Sequence, residues 1–353
     1  MAPSGIVARR ARRSASAKTQ AVRLGMIGCG DWGRNLVREF YQLPQSDLAV
    51  CCDVQPERLA AVRRAFPNVR AAASADAVLS DPSINAVVIA TPAPTHAALV
   101  QQALQAGKHV FVEKPIALSV ADAQRCIELA RTCRRRLMVG HLMRYHPAFV
   151  ALKRLVDSGE LGTMRYVYTQ RVNLGRIRKD ENALWSLAPH DVSMVLELFG
   201  QVPVSVAAQG ACYVQERIED VVFATLRFSD GRLAHIHLSW LDPHKIRKIT
   251  VVGTQKMVTF DDMEPAEKLR IYDKGAVRDY DSYGDWWITL RSGDIQIPRV
   301  DLTEPLRLEC QHFLECIQQG TTPLSDGEDG LRVLRVLDAA QRSLEAGGSW
   351  VTL

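Results

Sequence analysis

The sequence predicts an α/β fold in two unlike halves: a parallel sheet wound with helices, then an α/β domain on a large, mostly antiparallel open sheet. Three observations carry that prediction. From Val22 to about residue 141, short apolar runs alternate with helical patterns, as strands joined by crossover helices do. Past residue 141 the period becomes 2, as in Arg232-Leu233-Ala234-His235-Ile236-His237-Leu238, with one strand face dry and the other wet. A length of 353 residues suits two domains better than a single core. The expected division is a basic tail over 1–20, a first domain over 21–141 and a second over 142–353.

In the first domain, 22–27 is a strand, followed at once by Gly28-Cys29-Gly30-Asp31-Trp32-Gly33 and a helical pattern to about residue 41. Residues 48–52 form a second apolar strand ending at Asp53, and 57–66 reads as a helix. Strands are expected at 85–90, 109–112 and 136–139, with a helix at 96–106. Ser119 can cap a helix reaching about Thr132, because its hydroxyl accepts a free N–H of the first turn. The second domain opens with a helix at 147–157, and another is expected over about 191–199, opened by His190. Strands are expected near 164–172, 203–210, 220–228, 232–240, 246–252, 255–260 and 268–272, with turn signals such as Ser229-Asp230-Gly231 between them. Helical patterns return at 304–319 and 326–346.

Composition narrows the function classes. Hydrophobic residues make up 47% and charged residues 24%, as in a globular protein, and no 18-residue apolar run offers a membrane span. The net charge of +5 resides in the tail, where Arg9, Arg10, Arg12, Arg13 and Lys18 meet no acid. The remaining 39 Lys+Arg balance 39 Asp+Glu, which argues against a nucleic-acid-binding surface. Eight cysteines show no CxxC pair and no zinc spacing, so no metal is expected and a reducing, cytoplasmic compartment is. The tail has a transit-peptide-like composition but no secretory apolar stretch; it is expected to be disordered and dispensable.

The glycine-rich segment is the first chemical signal. Gly28 permits a tight turn, Gly30 a close approach of a pyrophosphate, and Gly33 close packing of helix on sheet, with the phosphates at the helix N-terminus. Asp53, 20 residues after Gly33 at a strand end, accepts from a ribose 2′-hydroxyl and repels a 2′-phosphate, so NAD is expected over NADP. The expected unit is a dinucleotide-binding domain of the Rossmann type.

Further segments carry a family signature: Ala90-Thr91-Pro92 with His96, Glu113-Lys114-Pro115 after a strand, and His190 early in the second half. With the glycine motif, they resemble the Gfo/Idh/MocA oxidoreductases from residue 22 to the C-terminus. The resemblance implies NAD-dependent oxidation of a sugar-type hydroxyl and pairing through the open sheet as a homodimer or homotetramer. It implies cofactor contacts from Gly28, Gly30, Asp31, Trp32, Gly33, Asp53, Thr91, Pro92, His96, Glu113, Lys114 and Arg144. Lys114 and His190 match the family's motif lysine and acid/base histidine. The chemistry agrees, since hydride leaves an alcohol only as its proton is removed, and a cation steadies the oxygen. Many relatives carry an aspartate four residues before the histidine; here that position is Ser186, and Asp191 points elsewhere on a helix.

Before His190 runs Asn173-Leu174-Gly175-Arg176-Ile177-Arg178-Lys179-Asp180, in which Arg176, Arg178 and Lys179 suit an anionic substrate. Trp185 is a candidate for stacking on a sugar or nicotinamide ring, and Trp286-Trp287 read as packing or interface. Residues 171–191 resemble, within the family, the subgroup that oxidises the 3-hydroxyl of UDP-N-acetylhexosamines for lipopolysaccharide amino sugars. That resemblance implies a sugar-nucleotide substrate such as UDP-N-acetylglucosamine, and an aminotransferase that consumes the product. The alternatives are a free-sugar or inositol-type polyol dehydrogenase, or a non-catalytic NAD/sugar sensor.

Overall fold

A computed structural model describes residues 21–278 and 288–353. The basic tail and Trp286-Trp287 lie outside the described residues. In the first half, strands β1 (Val22–Ile27), β2 (Ser46–Cys52), β3 (Arg70–Ala72), β4 (Ala86–Ile89), β5 (His109–Glu113) and β6 (Leu137–Gly140) form one sheet in the order β3-β2-β1-β4-β5-β6. Every pair in it is parallel. Helices α1 (Gly33–Gln42), α2 (Pro56–Ala65), α3 (Asp76–Leu79), α4 (His96–Gln105) and α5 (Val120–Thr132) make the crossovers. The whole of β4 is buried, the near-continuous apolar run that a strand covered on both faces requires. Ser119 caps α5 as its position predicts, its hydroxyl accepting from the Asp122 N–H at 3.1 Å. The sequence reading missed β3, whose Arg-Ala-Ala carries no apolar run.

The second half opens with α6 (Pro147–Asp157), β7 (Met164–Val172) and α7 (Ala183–Phe199). Strands β8 (Ser205–Ala211), β9 (Val221–Arg227), β10 (Leu233–Ser239), β11 (Ile246–Gly253), β12 (Met257–Asp261), β13 (Leu269–Arg278) and β14 (Ile288–Gln296) follow. Then come α8 (Pro305–Gln319), α9 (Gly327–Glu345) and β15 (Val351–Thr352). Nine strands form a sheet ordered β14-β13-β12-β11-β7-β10-β9-β8-β15, antiparallel except where β7 meets β10. Along β7, Val167, Thr169 and Arg171 are buried toward the helices, while Tyr166 and Tyr168 are exposed on the open face.

Two expectations need correction. Helix α7 begins at Ala183, not at His190, capped by Asn182, whose side chain accepts from the Trp185 N–H at 3.2 Å. Pro189 lies inside the helix. Its cost, about 3 kcal/mol, is outweighed because Ala188, Val192, Val195 and Leu196 all bury against the second core. The sheet also extends beyond the expected strands to β14 and β15, in residues where charge and Gly293 blur the alternation.

Finally, α8 returns to the first sheet. Leu306, Cys310, Phe313 and Leu314 share a core with Leu24, Met26, Phe40, Phe111 and Met138. Phe111 meets Phe313 edge-on at 5.7 Å. Helix α9 serves both halves, with Leu331 and Leu334 in a first-sheet core and Val333, Leu337 and Ala340 in the second. Among the described residues, no helix is long and apolar enough to cross a membrane.

Candidate active site

The site forms at the carboxyl ends of the parallel strands, where β1 and β4 lie side by side and the crossovers diverge. Gly28 turns the chain out of β1 at φ +94°, and a Cβ there would lie 2.5 Å from the Ala90 carbonyl oxygen. At Gly33 a Cβ would lie 2.2 Å from the Gly28 oxygen, so only glycine lets α1 start this close to the loop. Helix α1 opens without a side-chain cap, leaving its N-terminal end to an anion. These are the features a dinucleotide pyrophosphate needs.

Asp53 ends β2 as expected and is 5% exposed. Its carboxylate accepts from the Cys29 N–H at 2.7 Å and the Gln55 N–H at 2.9 Å, so it also braces the glycine loop from beneath. Arg58 lies 3.4 Å from Asp53 and beside Gly30, a neighbour that sequence reasoning missed. Asp31 is exposed and pairs with Arg176 at 3.3 Å. Trp32 donates its indole N–H to Glu113 at 2.5 Å.

Thr91 and Pro92 follow β4, with the Thr91 hydroxyl 2.6 Å from that of Thr95. His96 stands apart from the expected cofactor contacts. It is buried, and its two ring nitrogens lie 2.7 Å from the Pro115 carbonyl and 2.8 Å from the Thr91 carbonyl. The ring ties the two loops of the site together instead of facing the cleft. Glu113 ends β5, and Lys114 follows it before the cis peptide to Pro115. Glu113 lies opposite Gly140, where a Cβ would come within 3.0 Å of its carboxyl group. Burial pushes the Glu113 carboxyl up to about 7.

Lys114 and His190 are brought together by α7. The Lys114 ammonium donates to the Ser186 carbonyl at 3.2 Å, one helical turn before His190. Burial lowers the Lys114 pKa, against the opposing pull of Glu113 and Glu181. Burial, then Lys114 and Arg171, hold His190 well below its usual 6.5, so its imidazole is neutral. Its Nδ1 is buried without a hydrogen-bond partner. Asp191 is directed away, paired instead with Arg171 of β7. Asp191 thus gives His190 no carboxylate partner.

Arg144 also departs from expectation. Its guanidinium is 3% exposed and held by Asp329 at 2.6 Å and Glu197 at 2.5 Å. His141 completes the network, its Nδ1 2.9 Å from Asp329. This is a buried brace joining α7 and α9 behind the site; its histidine and aspartate lie 188 residues apart, with no local pattern to mark them. Trp185 likewise packs against both cores and donates its indole N–H to Gln341 at 3.1 Å, a packing role in place of the expected ring platform.

The loop between β7 and α7 carries the expected basic residues. Arg176 reaches the glycine loop through Asp31, and Arg178 pairs with Glu181 at 3.1 Å. Arg178 and Glu181 both act electrostatically on Lys114, which puts this loop at the rim of the same cleft. Lys179 is exposed.

The profile of the oxidoreductase family's NAD-binding Rossmann fold matches residues 22–141, and that of the GFO/IDH/MocA C-terminal domain matches residues 149–259. The chain belongs to the Gfo/Idh/MocA oxidoreductase family. It is an NAD-dependent enzyme of the sugar and polyol dehydrogenase type. Among its relatives in the family, an inositol 2-dehydrogenase of Rhizobium meliloti is 29% identical, covering 92% of this chain and 97% of its own length. A UDP-N-acetylglucosamine 3-dehydrogenase of Acidithiobacillus ferrooxidans is also 29% identical, over 92% and 98%. A solved structure of the latter enzyme superposes with a TM-score of 0.78, covering 93% of this chain and 98% of that one.

Proposed function

We propose that this enzyme oxidises the 3-hydroxyl of UDP-N-acetylglucosamine to the 3-keto sugar, in the supply of amino sugars for lipopolysaccharide. The observation that carries the reading is the loop bearing Arg176, Arg178 and Lys179 at the rim of the Lys114–His190 cleft. Guanidinium groups match phosphate oxygens bidentately, and a sugar nucleotide brings two phosphates to that rim. Its remote nucleotide also supplies binding energy that orients the sugar. The similarity to the Acidithiobacillus enzyme supports the same substrate class.

NAD is held by the glycine loop with Asp31, Trp32, Asp53, Thr91, Pro92 and Glu113 around it, and it supplies the hydride acceptor. His190, neutral at pH 7, takes the proton of the reacting hydroxyl. Lys114 steadies the developing negative charge on that oxygen, its Nζ held in place by the Ser186 carbonyl. The ketone product equilibrates back readily, so an aminotransferase is expected to draw it forward. The exposed sheet face, with Tyr166 stacked on Tyr168 at 6.4 Å and Phe223 on His237 at 4.4 Å, supports a homodimer or homotetramer. Eight free cysteines, six of them buried (Cys29, Cys51, Cys52, Cys126, Cys310 and Cys316), suit a cytoplasmic setting.

An inositol-type polyol dehydrogenase is the second reading, favoured by the equal identity of the Rhizobium relative and by the internal pairing of Arg178 with Glu181. NADH formation at 340 nm decides between them. Turnover of UDP-N-acetylglucosamine, enhanced by the aminotransferase, and none of free N-acetylglucosamine, glucose or myo-inositol is expected. Turnover of the free substrates alone would establish the second reading.

A further inference from the structure

Between β8 and β9, the chain makes a short excursion that presents one aromatic ring to solvent. Tyr213 is 75% exposed, whereas the next most exposed aromatic among the described residues, Tyr166, is 45%. Its backbone is pinned. The fully buried Asp220 accepts from the Tyr213 N–H at 2.7 Å and the Val214 N–H at 2.8 Å through one carboxylate oxygen. A solvent-exposed ring on a backbone fixed by a buried carboxylate is a preorganised contact surface, because little further ordering is needed when a partner arrives.

The same excursion is fastened to the catalytic helix and the basic loop. Glu219 accepts the Ala183 N–H at 2.9 Å through its carbonyl and the Asn182 side-chain amide at 2.7 Å through its carboxylate. Gln215 donates to the Arg178 carbonyl at 2.7 Å. Tyr213 therefore belongs to the N-terminal end of α7, and His190 lies seven residues further along that helix, about 10 Å at the rise of an α-helix. Arg178 is tied to this excursion through Gln215, and its charge reaches Lys114. An aromatic ring, a cation and a reacting centre linked in this way match a nucleobase, a diphosphate and a sugar.

We infer that Tyr213 is the platform on which the nucleobase of the sugar nucleotide stacks. The inference rests on the sugar-nucleotide reading and adds the residue that reads the nucleoside end. It is separate from the adenosine of the cofactor, which Asp53 faces on the first sheet.

Calorimetric titration of the NAD-bound enzyme with UDP and with inorganic pyrophosphate tests it in wild type, Tyr213→Ala and Tyr213→Phe. Loss of a stacking partner is expected to weaken UDP about tenfold in Tyr213→Ala. Tyr213→Phe should keep wild-type affinity, and pyrophosphate should bind all three alike. UDP bound equally by Tyr213→Ala and wild type would overturn the platform while leaving the sugar-nucleotide reading standing. Pyrophosphate weakened in step with UDP would overturn it too, because the defect would then lie in the charged loop. Wild type that fails to bind UDP would overturn the sugar-nucleotide reading itself, and the platform with it.

Discussion

Replacing Glu113 by Gln probes the carboxyl group at the centre of the site. Glu113 accepts from Trp32 of the glycine loop and from the Lys114 N–H, and no cation neutralises it at hydrogen-bonding distance among the described residues. Burial raises it from an ordinary 4.5 to about 7. The folded state thus holds this proton more tightly than the unfolded chain does, so stability is greatest while the group is protonated. It is lost as pH rises from 4.5 to 7 and is level above that. At about 1.4 kcal/mol for each tenfold change in proton affinity, the loss is about 3 kcal/mol, most of it between pH 5 and 8. Glutamine keeps an acceptor for Trp32 but cannot ionise. Urea unfolding followed by tryptophan fluorescence at pH 5, 6, 7 and 8 should show Glu113→Gln gaining on wild type by roughly 2–3 kcal/mol across that range. Glu309, a fully buried carboxyl on α8 whose oxygens have no partner, is raised further by the Glu113 charge, so the comparison is made with Glu309→Gln in both proteins to remove its titration. Parallel curves, constant within about 0.5 kcal/mol, would refute the reasoning and show Glu113 ionised throughout.

Lys114→Met and His190→Ala should each abolish turnover while NAD affinity stays within a few-fold; loss of folding or of NAD binding would make these residues structural. Because His190 is held well below 6.5 and works as a neutral acceptor, kcat/KM should stay level as pH falls through 6.5 and drop only at lower pH. An acid limb centred at 6.5 would contradict this. Wild type should prefer NAD to NADP, and Asp53→Ala should weaken NAD far more than NADP. That change also strands the buried Cys29 N–H, at about 1–3 kcal/mol, so Asp53→Asn should recover much of the stability without the preference. Thermal melts beside titrations with both cofactors separate the two effects, and equal affinity of wild type for both cofactors would defeat the assignment.

The glycine loop, Asp53 and the pairing of Lys114 with His190 are legible in the sequence because each is tied to a local pattern: a glycine spacing, a strand end, a short motif. The parallel pairing of the first sheet follows from the alternation of strands and helices. What stays hidden depends on contacts between distant residues. The partners of Arg144, Glu197 and Asp329, lie 53 and 185 residues away, and nothing near position 144 distinguishes a buried brace from a cofactor contact. His96 misleads for the same reason, since its two carbonyl partners become neighbours only when β4 and β5 pair. The start of α7 was obscured by a local rule that tertiary packing overrides. Pro189 argues for a helix boundary, and the buried side chains around it argue more strongly for continuity.

The return of α8 to the first sheet bears on how the chain is made. On the ribosome, residues 22–141 emerge with all six strands of their sheet, yet the phenylalanine cluster around Phe40 and Phe111 lacks Phe313 until residues 305–319 follow. At ordinary rates of synthesis, that interval lasts roughly 10–30 s. Throughout it, the nascent first domain displays an apolar face on β1 and β5 that only a distant part of the same chain will cover. Such a face is the kind of surface to which holding chaperones bind. Translation speed across the second half, and chaperone supply, are therefore expected to govern the yield of soluble enzyme more strongly than the intrinsic folding of the nucleotide-binding domain.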